Sequence, residues 1–173
     1  MNKTAYKLMY KRMNELTSHW VELLNELAIP YKALGRAFIP YAYDPSLYEC
    51  VLKQLAPNVC THSNNPELNN LSHTTGDLRR LTTWQTIKAD YFSSGCDYVL
   101  TSTVPDNCFD ATLLYGYKLA GTGLLLGGQK DALQSPITQK LPPPSRVIEL
   151  STDILAKYPK GTYSNPWLYV WLK

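Results

Sequence analysis

The apolar positions of this chain follow a helical period first and short strand-like runs later. Tyr6, Met9, Met13, Leu16, Trp20, Leu23 and Leu27 recur in steps of three and four. That spacing predicts an amphipathic helix over Thr4–Ala28. Tyr and Trp on its seam suit packing on a sheet or a neighbouring chain better than a two-stranded coiled coil. Pro30 stops it, because proline cannot continue the hydrogen-bond ladder. Arg36–Ile39 and Val59–Thr61 are short, apolar or β-branched, and predict strands. Ser46 predicts an N-cap for a helix reaching Leu55, with Leu47, Val51 and Leu55 on one face. His62–Asn70 is polar and asparagine-rich, and predicts a loop, or a weak helix after Pro66, with His62 and His73 as loop histidines. One more short strand is expected within Ser72–Asp77. Leu78–Phe92 predicts a helix with Leu81, Trp84, Ile87 and Tyr91 along one side.

The clearest pattern runs from Gly95 to Gly128. Tyr98–Thr103 reads as a buried strand, and Val104-Pro105-Asp106-Asn107 breaks it. Asp106 and Asn107 are expected to cap the next helix. Phe109, Leu113 and Tyr117 then recur four apart, with Leu114 beside them. Gly121 and Gly123 are expected to end that helix, where glycine tolerates positive φ. Leu124–Leu126 reads as a second buried strand. A strand–helix–strand unit of about 30 residues is the usual size of a parallel crossover. Ligands of such sheets sit past the carboxyl ends of the strands, which points to Thr101, Ser102, Thr103 and Asp106.

Beyond Gly128 the chain loosens into a proline-containing surface loop, Gln129–Ser145, whose Pro142–Pro144 run is a candidate docking segment. Ser145–Leu150 predicts a strand, Asp153–Tyr158 a helical turn, Gly161–Pro166 a turn, and Trp167–Leu172 a last strand. In that strand Trp167, Tyr169 and Trp171 share one face, and Leu168, Val170 and Leu172 the other. With both faces apolar it must be buried or cover an interface. The fold class expected is α/β: a Rossmann-like, mostly parallel sheet with flanking helices, an N-terminal amphipathic helix and a C-terminal antiparallel strand. The 173 residues suit one domain, 1–173, with no internal repeat.

Composition narrows the picture modestly. Charged residues make up 18%, below the ~25% of an ordinary domain, and tyrosines are abundant. A surface of that kind suits a protein partner or a homo-oligomer. The net charge of +3 permits RNA contact, and Arg79-Arg80 is among the densest basic pairs. The first twenty residues are amphipathic rather than signal-like, and no apolar run reaches the ~20 residues of a membrane span. The expectation is a soluble, cytoplasmic protein, in a host cell or a virion, that contacts no membrane. Cys50, Cys60, Cys96 and Cys108 lack CxxC spacing and predict free thiols. Cys50, Cys60, His62 and His73 match no zinc-finger spacing, so no metal is expected.

Strand candidates near residues 36, 59, 73, 98 and 124, with helices between and a final strand pair, make an order that resembles the SAM-dependent Rossmann methyltransferases. Ile29-Pro30-Tyr31, Gly76-Asp77, Cys96–Ser102 and Lys118–Leu126 resemble most the FtsJ-type, coronavirus-like 2′-O-ribose methyltransferases. The resemblance spans roughly residues 29–130. It implies S-adenosylmethionine contacts from Tyr41, Asp44, Asn64, Gly76, Asp77 and Thr101. It places Ser102 where the family has its catalytic Asp, Gly128 with Lys130 nearby where it has a Lys, and Asn165 where it has a Glu. The glycine-rich loop is replaced by Pro40-Tyr-Ala-Tyr-Asp44, and the acid after the second strand by His62-Ser-Asn-Asn65. Ser102 and Lys130 are therefore the candidate catalytic residues of a degenerate set. The family's lysine depends on neighbouring acids to deprotonate a ribose hydroxyl. The function expected is an inactive, methyltransferase-like component of a larger, viral complex. It would contact RNA or a partner through Arg79, Arg80, Trp167 and Trp171. Two alternatives stand beside it: a non-enzymatic assembly protein, and an active SAM-dependent RNA methyltransferase.

Overall fold

A computed structural model describes residues 23–29, 31–40, 58–62, 74–101, 104–149 and 167–173. The helix expected over Ser46–Leu55, the elements expected over 153–166, and most of the helix expected over Thr4–Ala28 lie outside these residues. So do Tyr41, Asp44, Asn64, Ser102, Thr103 and Asn165.

Among the described residues the protein is mixed α/β, built on a six-stranded sheet. The strands are β1 (Arg36–Ile39), β2 (Asn58–Thr61), β3 (Cys96–Thr101), β4 (Ala120–Gly128), β5 (Arg146–Glu149) and β6 (Trp167–Leu172). Their spatial order is β2-β1-β3-β4-β6-β5. The first four in that order run parallel, β6 is antiparallel to β4, and β5 is antiparallel to β6. A lone parallel bridge, His62 to Thr74, extends the sheet beyond β2. It is all that the described residues show of the strand expected within Ser72–Asp77.

Helices α1 (Leu81–Tyr91) and α2 (Phe109–Leu119) cover one face. Register places Phe38, Val99, Leu124 and Trp171 side by side on that face. With Trp84, Ile87, Phe109, Leu113, Leu126 and Tyr169 they form one buried cluster. Aromatic edges set its centre: Phe38 meets Trp84 at 5.6 Å and Phe92 at 5.9 Å, both T-shaped. The opposite face (Ala37, Ile39, Leu100, Leu125, Leu168, Val170) is buried as well, as are Leu23, Leu24, Leu27 and Ile29 ahead of β1. A sheet apolar on both faces reads as continuous hydrophobic runs rather than alternation. Leu124–Leu126 and Trp167–Leu172 follow that rule, and β6 is a covered internal strand.

Residues 23–26 are helical, and their end differs from the expected proline stop. Ile29 N–H donates to Leu24 O and Ala28 N–H to Asn25 O, with Ala28 at φ 56°. This is a Schellman turn that ends the helix two residues before Pro30. Arg146 then donates to the Glu26 carbonyl and carboxylate at 3.1 and 2.7 Å, tying this turn to the edge strand β5.

Three other expectations are corrected. Leu81 and Tyr91, expected on the apolar face of α1, are 46% and 45% exposed, and only Trp84 and Ile87 are buried there. Asp106 and Asn107 do not hold the N-cap position of α2, which is Cys108. They form a 3-10 turn, Asp106–Cys108, and the positions preceding it and α2 carry no side-chain cap. Gly121 and Gly123 lie inside β4, which begins immediately after α2. The end of α2 is closed by Lys173, whose Nζ donates to Tyr117 O and, at 2.7 Å, to Ala120 O.

Candidate functional site

The direction of chain progression reverses between β1 and β3, so the carboxyl ends of these strands define the switch point where α/β sheets hold ligands. Pro40, His62 and Thr101 stand at the ends of β1, β2 and β3, and all three are buried. Thr101 is 0% exposed, so of the residues expected to contact a ligand it is one that packing encloses.

His62 is the residue whose role the sequence concealed. It continues the alternation of β2, sharing a face with Cys60, and is 1% exposed. Its Nδ1 lies 2.7 Å from Thr74 Oγ1 and its Nε2 2.9 Å from Gly76 O. A carbonyl only accepts, so Nε2 carries a proton and donates it to Gly76. The ring also meets Phe38 edge-on at 6.4 Å. His62 thus pins the 74–76 segment to the end of β2, in place of a loop histidine. Thr74 reinforces this through its backbone N–H and its hydroxyl, each 3.2 Å from Thr61 O.

Gly76 has φ 120°, and a Cβ there would meet Thr83 Cγ2 at 3.0 Å, so glycine is required at this bend. Asp77 follows. Its carboxylate accepts from Arg79 N at 2.9 Å, Nε at 3.0 Å and Nη2 at 3.0 Å. Arg80 Nε lies 3.9 Å away. Hydrogen bonds from the Arg79 side chain and backbone hold the Asp77 carboxyl down at about 2. Asp77 is therefore an organiser of the turn into α1, and its carboxylate is already engaged. The side chains of Arg79 and Arg80 remain 55% and 76% exposed. They stand at the start of α1, whose first turn has no acid and no side-chain cap.

The end of β4 is closed. A Cβ at Gly128 would stand 2.7 Å from the Phe109 ring and 3.1 Å from the Tyr169 ring. These two rings meet edge to face at 6.0 Å. The Tyr169 hydroxyl donates onward to Gln129 O at 2.5 Å, with Lys130 O at 3.1 Å, and Trp171 Nε1 donates to Pro142 O at 2.9 Å. The head of the proline run is thus tied to β6 through the Pro142 carbonyl. The Lys130 side chain is exposed in the loop beyond this plug. Trp171 is 3% exposed and is a core residue, not a surface contact; Trp167 is half-buried.

The described residues do not by themselves fit a resident SAM. Of the described residues expected to hold it, Asp77 alone carries a carboxylate, and that carboxylate is held by Arg79; Thr101 is enclosed. Among the described residues no cluster of His, Cys, Asp and Glu could hold a metal ion. Cys60, Cys96 and Cys108 are free thiols, and burial pushes both Cys60 and Cys96 up to about 12. These two are protonated, inert packing groups at neutral pH. Among the described residues no helix is long and apolar enough to cross a membrane.

No family model and no curated protein matches the chain. Among solved structures it is similar to protein 1320 of Thermoplasma acidophilum, at 11% identity and a TM-score of 0.50, over 98% of this chain and 96% of that one. HcgC from Methanococcus maripaludis, crystallised with SAH and pyridinol, aligns at 11% identity and a TM-score of 0.35, over 96% of this chain and 81% of that one. The first likeness shows a shared fold; the second is too distant to bear on function.

Proposed function

We propose that the chain is a methyltransferase-like domain without a working catalytic set, acting as an RNA-binding component of a larger complex. The observation that carries this reading is the seal over Gly128. The position that the methyltransferase resemblance assigns to a lysine has no room for a side chain, because Phe109 and Tyr169 occupy it. The carboxylate of Asp77 is engaged by Arg79, so it supplies neither a base nor a free acceptor. General-base chemistry needs a titratable group within reach of the proton it removes, and the described ends of β2 and β3 offer an engaged histidine and a buried threonine instead.

What this edge does present is positive charge. Arg79 and Arg80 flank one carboxylate at an uncapped helix start, where the backbone N–H groups also favour anions. A phosphate backbone passing here would take Arg80 directly and compete with Asp77 for Arg79.

The reading is tested by titrating single-stranded RNA at several salt concentrations. Affinity should fall as salt rises. The double variant Arg79→Ala/Arg80→Ala should bind more weakly, with a salt slope shallower by about 0.7 for each phosphate that is no longer neutralised. Binding that is independent of salt, or unchanged in the double variant, would overturn it.

A further inference from the structure

The exposed end of the α1 stripe is not an isolated apolar side chain. Leu81, Trp84, Gln85 and Lys88 of α1 face Tyr115, Lys118 and Leu119 of α2 across a groove of about 170 Å³. The floor is apolar: Trp84 is 4% exposed, with its Nε1 turned inward to Leu78 O at 2.7 Å. Leu81, at one end, is 46% exposed. Trp84 and Tyr115 pack at 6.3 Å between ring centroids, so the floor is built from both helices and is not a gap between loosely placed side chains.

The rim is cationic. Lys88 and Lys118 stand on opposite helices, both exposed. Among the described residues neither is in an ion pair, and no acid lines the groove. Two such lysines facing each other over an apolar floor are repelled by one another and favour an anion placed between or beside them. The floor has room for one or two apolar side chains, too few for a domain and right for the anchor of a peptide.

We infer that this groove is a docking site for an acidic, amphipathic protein segment. One apolar side chain would seat against Leu81, Trp84 and Leu119, and flanking carboxylates would pair with Lys88 and Lys118. The inference rests on the reading of the chain as a binding component. It uses side chains other than those of the Arg79–Arg80 pair, so each can fail without the other.

The experiment is a titration of the full ¹⁵N-labelled chain with a synthetic peptide that carries a central Leu-Phe anchor flanked by glutamates. A control peptide has lysines in place of the glutamates. Shifts confined to Leu81, the Trp84 indole, Gln85, Lys88, Tyr115, Lys118 and Leu119 are expected with the acidic peptide only. Lys88→Glu/Lys118→Glu should weaken that binding about tenfold or more. Leu81→Ser should weaken it without changing the preference for acid. Several results would overturn the inference: no shifts at saturating peptide, shifts elsewhere, or equal response to the basic peptide. So would the same shifts produced by oligouridine, or by raising the protein concentration alone, which would assign the groove to RNA or to a second copy.

Discussion

Tyr98 and Gly123 are register partners across the β3–β4 ladder, and the tyrosine ring lies over the glycine. A Cβ at residue 123 would stand 2.5 Å from Tyr98 Cε1 and 2.9 Å from Cδ1. Tyr98 is 6% exposed, so its ring has little freedom to move aside. Replacing Gly123 with Ala overpacks this site and should cost about 1–3 kcal/mol. For a chain of this size that lowers Tm by roughly 2–12 °C. Thr122→Ala, on the exposed neighbour, should stay within about 0.5 kcal/mol. Equal melting of Gly123→Ala and the parent would show that the ring does not pack as described.

Lys173 does for α2 what a glycine cap was expected to do. Its Nζ donates to the carbonyls of Tyr117 and Ala120 and lies 4.1 Å above the Tyr117 ring centroid. A cation at a helix carboxyl end is favoured by the exposed carbonyls there. Lys173→Met keeps most of the aliphatic stem and removes the donors. It should cost about 1 kcal/mol, read by urea denaturation, whereas Lys173→Arg should recover most of that stability. No difference between Met and Lys would leave the end of α2 to its backbone alone.

The Asp77 carboxyl is held at about 2, against an ordinary 3.8, chiefly by the hydrogen bonds from Arg79. A folded pKa below the unfolded one means that the pairing stabilises the fold above pH 3.8. That contribution disappears as the pH falls toward 2. A carbon-detected NMR titration should place the Asp77 midpoint near 2, and Arg79→Ala should return it toward 3.8. A midpoint near 3.8 in the parent chain would mean that the turn into α1 is not organised by this pair.

The fold was largely legible where apolar runs were short and bounded by polar turns. Arg36–Ile39, Val59–Thr61 and Trp167–Leu172 are strands in the structure, as is the described part, Tyr98–Thr101, of the run expected over Tyr98–Thr103, and Leu124–Leu126 lies within one. The errors share one cause: a residue's local preference was overridden by what lies across from it. Gly121 and Gly123 read as helix terminators, yet they sit in β4 because Cys96 O and Tyr98 leave no space for a Cβ. Leu81 and Tyr91 fit the helical period, but α1 buries only the two residues between them. The candidate site was less legible still. His62 looked like a loop residue because its partners, Thr74 and Gly76, come from a segment twelve and more residues away. Only the continuing alternation after Cys60 hinted at it. The seal on Gly128 depends on Phe109 and Tyr169, which no spacing pattern connects.

The proposal of a methyltransferase-like domain that binds but does not catalyse is tested most directly by a methyl-transfer assay. The full chain is incubated with SAM carrying a radiolabelled methyl group and with capped and uncapped RNA. No label in RNA above that of the heat-denatured chain is expected. Label transferred to a ribose 2′-oxygen by the native chain would contradict the proposed function.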